Sequence, residues 1–144
     1  MVLLIAAILA TGLFAGAAVY INLVEHPARL SCGTDVAIQE FIPSYQRASW
    51  MQASLAVVGA VCGIVAGWRE RDDVVIIAGL LIGAVVPYTL AIIAPTNKHL
   101  LAPTLDRRGA LAVQLLRRWA VLHSVRSILS VVAFTAFLIR LAGR

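Results

Sequence analysis

Charge is what this chain most lacks. Asp, Glu, Lys and Arg make up 13% of its 144 residues, against 61% hydrophobic residues and a mean hydropathy of +0.92. Soluble domains carry about 25% charged residues, so a water-soluble globular fold is excluded. Cysteine is nearly absent too. Cys32 falls in a connection and Cys62 in the middle of an apolar run, at different depths and without CxxC spacing. A disulfide framework or a cysteine metal site is therefore not expected, and the two are read as free thiols. No histidines stand at HxxxH spacing. The net charge of +5 lies mostly at the ends of apolar runs. There it serves membrane topology, and no nucleic-acid partner is expected.

What remains is four apolar runs, Val2–Val24, Ala48–Trp68, Val74–Pro95 and Trp119–Ile139, each of 21 to 23 residues. About 20 residues cross a bilayer as a helix. The first three runs contain no charge. The first is too long, and lacks the basic start and small-residue cleavage site, for a removed signal peptide. The chain reads as one domain, 1–144: an all-α, multi-pass integral membrane protein whose partner is the lipid bilayer. Its four-helix transmembrane bundle has helices at about 2–26, 45–68, 74–95 and 117–141. The connections after helices 1 and 3 share one face and carry Arg29, Arg47, Lys98, Arg107, Arg108, Arg117 and Arg118. The other face has Arg69, Arg71, Arg140 and Arg144. The excess favours the first face as cytoplasmic.

Glycines recur at i, i+4: Gly12 and Gly16; Gly59, Gly63 and Gly67; Gly79 and Gly83. Such ridges let helix backbones approach closely in lipid, and any facing outward are available for homo-oligomers. GLFAGAAVY (12–20) matches GLLIGAVVPY (79–88) at six of nine positions once a proline is skipped. Tyr20 to Pro27 and Tyr88 to Pro95 are both seven residues. More weakly, SLAVV (54–58) resembles SILSVV (127–132). The pattern predicts two tandem helical hairpins related by a pseudo-two-fold along the membrane normal.

On that topology the unusual polar residues collect on one face: Glu25, His26, Arg29, Tyr45, Gln52, Asn97, Trp119, His123 and Arg126. Trp119, His123, Arg126 and Ser130 form one stripe of helix 4, which must point inward because an arginine facing hydrocarbon costs about 2.5–3.5 kcal/mol. Arg126 sits at the positive end of its helix and Glu25 at the negative end of its own. A Glu25–Arg126 pair or one-water bridge is expected, with Arg29 as the competing partner of Glu25. His26 and His123 come near each other on this reading. With Glu25 they offer a transition-metal site, or as a pair a haem site; equally, they offer a base and proton relay. His99 falls in a connection and is expected to be exposed. Pro43 and Ser44 suit a helix start, with Ser44 as cap. The basic stretch Arg107–Arg118 is expected to lie along the lipid surface. Both long connections are candidate lids over the site.

The segments VEHPARL (24–30), IPSYQRASWMQ (42–52), PYTLAIIAPTNKHLL (87–101) and RRWAVLHSVRSILS (117–130) resemble the small anthrone oxygenase-like integral membrane proteins. That resemblance spans essentially the whole chain. It implies a four-helix membrane fold and a monooxygenase that oxidises anthrones, tricyclic phenols with an activated methylene, to anthraquinones with O2. In such a reaction a planar hydrophobic substrate packs against Trp119, Tyr20 or Tyr45, with Gln52 and Arg29 also in the binding region. His123 or His26 acts as base with Glu25 orienting the imidazole, and Arg126 and Asn97 stabilise the enolate. No organic cofactor is then required. Two alternatives stay open: a metal- or haem-dependent redox protein, and a non-enzymatic transporter or partner subunit.

Overall fold

The computed structural model describes residues 1–143; Arg144, assigned above to the tail face, lies outside them. Every regular element among the described residues is helical. Four helical spans, Val2–Ser31, Thr34–Glu70, Asp73–Leu100 and Ala110–Ala142, are long and apolar enough to cross a membrane. The chain is a four-span integral membrane protein.

The first span consists of α1 (Val2–Tyr20), a π-helical turn (Ile21–Glu25) and α2 (His26–Ser31). The second is α3 (Thr34–Glu70). The third repeats the first: α4 (Asp73–Tyr88), a π-helical turn (Thr89–Ile93) and α5 (Ala94–Leu100). The fourth is α6 (Ala110–Ala142). Each π-turn follows a tyrosine, Tyr20 or Tyr88, and precedes a proline, Pro27 or Pro95. Proline has no N–H for the carbonyl four residues back and its ring presses on that carbonyl. In both spans that carbonyl (Leu23, Ala91) lies inside the π-turn, where the wider winding makes room. The duplicated sequence pattern thus appears as a duplicated irregularity. α3 and α6 each pack along both α1 and α4 while hardly touching each other, the ring that two equivalent hairpins form.

Close backbone approach is real where the glycines pair. A Cβ on Gly63 would lie 2.6 Å from the Phe137 ring and 3.2 Å from Gly79 Cα. Gly16, in contrast, has nothing within 4 Å and faces outward. Large apolar side chains such as Leu13, Val61, Ile77, Ile128 and Ile139 are exposed, the surface a bilayer covers.

Three expectations need correction. Pro43 and Ser44 do not start a helix: α3 begins nine residues earlier, at Thr34, and carries Pro43 inside it. Burial decides this, because Ile38 and Phe41 are each 1% exposed in a cluster with Leu100, Leu116 and Trp119. Ser44 instead donates to the Phe41 carbonyl at 3.2 Å. Second, residues 110–118 do not lie along the lipid surface. They are the first turns of α6, with Ala112, Leu115 and Leu116 buried in the same cluster. Third, the connections are too short for lids: a bend at 32–33 and a loop at 101–109, tied down by Arg108 to Asp35 at 3.2 Å. At the opposite end Asp72 caps α4 and pairs with Arg140 at 2.7 Å.

Candidate functional site

Below the cluster that plugs the end of the bundle lies a cavity of about 430 Å³. Phe14, Ala56 and Val85 form part of its apolar wall, while Gln52, Trp119, His123 and Arg126 supply the inner polar groups. Exposed members of the lining, Arg47 and Met51 on α3 and Leu90 on the second π-turn, mark its opening between the second and third spans.

The stripe on α6 points inward as the sequence requires: Trp119, His123, Arg126 and Ser130 are all buried. Arg126 lies over the Phe14 ring, 5.4 Å from its centroid, and its Nη2 donates to Gln52 Oε1 at 2.6 Å. Arg126 Nε and Gln52 Nε2 have no partner. No carboxylate among the described residues pairs with Arg126. The expected direct Glu25–Arg126 pair is therefore absent. Glu25 pairs with Arg29, one turn along the same helical span, and Arg29 Nε also meets Glu40 Oε2 at 2.7 Å. A partner four residues away is held in reach by the helix itself, whereas Arg126 lies across the bundle.

Trp119 is the hub of an aromatic array. It stacks on His123 at 4.6 Å between centroids, meets His26 at 5.2 Å and takes Phe41 edge-on at 5.2 Å. Phe41 in turn stacks on Tyr45 at 5.6 Å. His123 and Tyr45 reach the cavity; His26 does not. His26 is buried beside the backbone of Leu116, and neither ring nitrogen makes a well-formed hydrogen bond. Asn97 is buried, its side chain is unpartnered, and it is not on the cavity wall. Tyr20 is 55% exposed on the outer surface. His99 is exposed, and so is Cys32.

Asn22 went unnoticed in the sequence. Its Oδ1 lies 2.6 Å from His123 Nδ1 and 2.7 Å from Ser127 Oγ, and its Nδ2 donates to the Ala120 carbonyl at 3.2 Å. Asn22, not Glu25, orients the imidazole. Its signal was a carboxamide inside a charge-free run, one turn before Glu25. The metal and haem readings fit poorly. No three His, Cys, Asp or Glu side chains converge among the described residues. His26 and His123 each pack on Trp119, and Glu25 is committed to Arg29.

No curated protein and no solved structure matches this sequence. A model of the anthrone oxygenase family matches residues 41–136, more than half of the chain and including the whole α6 stripe, so the protein belongs to the anthrone oxygenase family.

Proposed function

We propose that the protein oxidises a planar, lipophilic phenolic substrate of the anthrone type with O2 in the cavity between its spans. The observation that carries this reading is Arg126: a buried guanidinium without a carboxylate partner, on the wall of an apolar cavity beside His123. A buried charge left unpaired is costly, and an anionic ligand relieves it. An enolate or phenolate oxygen in the cavity supplies the anionic partner that the Arg126 guanidinium lacks.

His123 removes a proton from the activated methylene, and the charge moves onto the ring oxygen held by Arg126, which Gln52 positions. The electron-rich carbanion reduces O2 and forms a C–O bond, giving a hydroperoxide. The remaining C–H proton then leaves, the O–O bond breaks, and one oxygen stays as the new carbonyl. The other departs as water with the two methylene hydrogens, one returned by His123. Overall, a CH2 group and O2 become a C=O group and H2O. The opening beside Met51 and Leu90 supports entry from the bilayer.

The test is O2 uptake and quinone absorbance with anthrone and detergent-purified protein. One quinone formed per O2, lost in His123→Gln, is the expected result. Absence of turnover, or full turnover in His123→Gln, overturns the reading and favours a transporter or partner subunit.

A further inference from the structure

Asn22 has no role in the readings above beyond holding a ring, yet its surroundings define which ring nitrogen can act. We infer that Asn22 is the positioning residue that sets the tautomer of His123, leaving Nε2 as the unprotonated atom presented to the cavity. The inference deepens the reading of His123 as base and rests on it for its catalytic consequence.

The hydrogen bonds leave one assignment. Asn22 Nδ2 is 3.2 Å from the Ala120 carbonyl, which only accepts, so the nitrogen must be there and the oxygen on the other side. That oxygen, Oδ1, is itself acceptor-only and lies 2.6 Å from His123 Nδ1. The proton between them must therefore sit on Nδ1. Ser127 Oγ donates to the same oxygen at 2.7 Å and pins it a second time. A neutral imidazole protonated at Nδ1 carries its lone pair on Nε2. No hydrogen bond engages Nε2, and His123 lines the cavity. The base is held ready by its neighbour rather than by a carboxylate.

Asn22 does not earn its place by building the backbone. It lies in the first π-turn, and 68 residues on, at the offset of the Tyr20/Tyr88 and Pro27/Pro95 pairs, the second π-turn has Leu90. Leu90 is 69% exposed. The same turn forms with leucine at that position, so the π-turn itself does not require the carboxamide, which is instead spent on α6 and His123. Asn22 is flanked outward by the exposed Leu23 and Val24, and the turn keeps it facing α6.

The experiment is nitrogen NMR of protein labelled with 15N-histidine, without substrate, in detergent near neutral pH. Subtracting the spectrum of His123→Gln identifies the His123 signals. Wild type is expected to show a protonated Nδ1 and an unprotonated Nε2. Asn22→Leu should populate the Nε2–H form and lower kcat by about 10²-fold or more, with KM within a few-fold. Asn22→Asp keeps an acceptor and should restore both the Nδ1–H form and most of kcat, so it carries the test if the leucine variant does not fold. An Nε2–H ring in wild type, or an unchanged tautomer in Asn22→Leu, overturns the inference. The expected tautomers without any turnover would sink the oxidation reading while supporting tautomer control by Asn22.

Discussion

Gln52 and Arg126 meet across the bundle, 74 residues apart, through a hydrogen bond of 2.6 Å. When the SLAVV and SILSVV segments are aligned on their shared Val-Val pairs, 57–58 and 131–132, these two residues occupy the same position. The contact therefore joins equivalent points of the two hairpins. One half contributes a neutral amide and the other a charge, so the duplicated scaffold carries a one-sided site.

That relationship separates binding from stability. Arg126→Met should lower kcat/KM for an anthrone-type substrate by about 10²–10³-fold, because a preorganised donor to the developing oxyanion is gone. Gln52→Leu removes the acceptor of Arg126 Nη2 and should destabilise the protein by about 1–3 kcal/mol. Steady-state kinetics and thermal unfolding in one detergent check both.

Gly63→Ala should lower stability by about 1–3 kcal/mol, since its methyl group meets the Gly79 backbone, which cannot yield as a side chain does. Gly16→Ala, with open space around the new methyl, should leave the melting temperature unchanged or slightly raised. A parallel thermal melt of the two variants makes the comparison.

Acid should loosen the end of the bundle opposite the cavity. Burial tends to raise the Asp72 carboxyl pKa, but hydrogen bonds from Arg140, Val75 and Val74 and the Arg140 charge outweigh it, leaving it below the ordinary 3.8. A carboxylate with a lowered folded-state pKa stabilises fully above its unfolded value and loses that contribution as pH falls through the folded one. Wild type should therefore lose thermal stability more steeply than Asp72→Asn as pH falls below the ordinary carboxyl value of 3.8. Identical acid profiles would show that the Asp72–Arg140 contact contributes nothing to the acid limb.

The basic excess on the cavity face is expected to place that face in the cytoplasm. Cys32 lies exposed at that end, while Cys62 is half-buried against the core cluster of Leu4, Ala66 and Phe137. A membrane-impermeant maleimide should label Cys32 in inverted vesicles and not in intact cells. Labelling in intact cells would reverse the orientation.

Much of this was legible along the chain. The α6 stripe could be read because its spacing is fixed by one helix, and the spans because hydrocarbon thickness fixes their length. Helix boundaries were harder. Pro43 is a strong local signal for a break, yet α3 runs through it because Ile38 and Phe41 are buried against Leu116 and Trp119. The same burial turned the basic stretch before Trp119 into the start of α6.

The sequence by itself determined the four spans, the two-hairpin plan and the face on which the polar groups gather. Each follows from hydropathy, length and periodicity, which are properties of a chain segment. Only the tertiary structure decided the partners: Arg29 rather than Arg126 for Glu25, Gln52 for Arg126, and Asn22 for His123. It also turned His26 and Asn97 away from the cavity and Tyr20 to the outer surface. Pairing across a bundle depends on how far each helix is rotated and on single-residue shifts such as the π-turn at Ile21–Glu25. Such a turn displaces every later side chain by a fraction of a turn, and no linear pattern in one sequence fixes it.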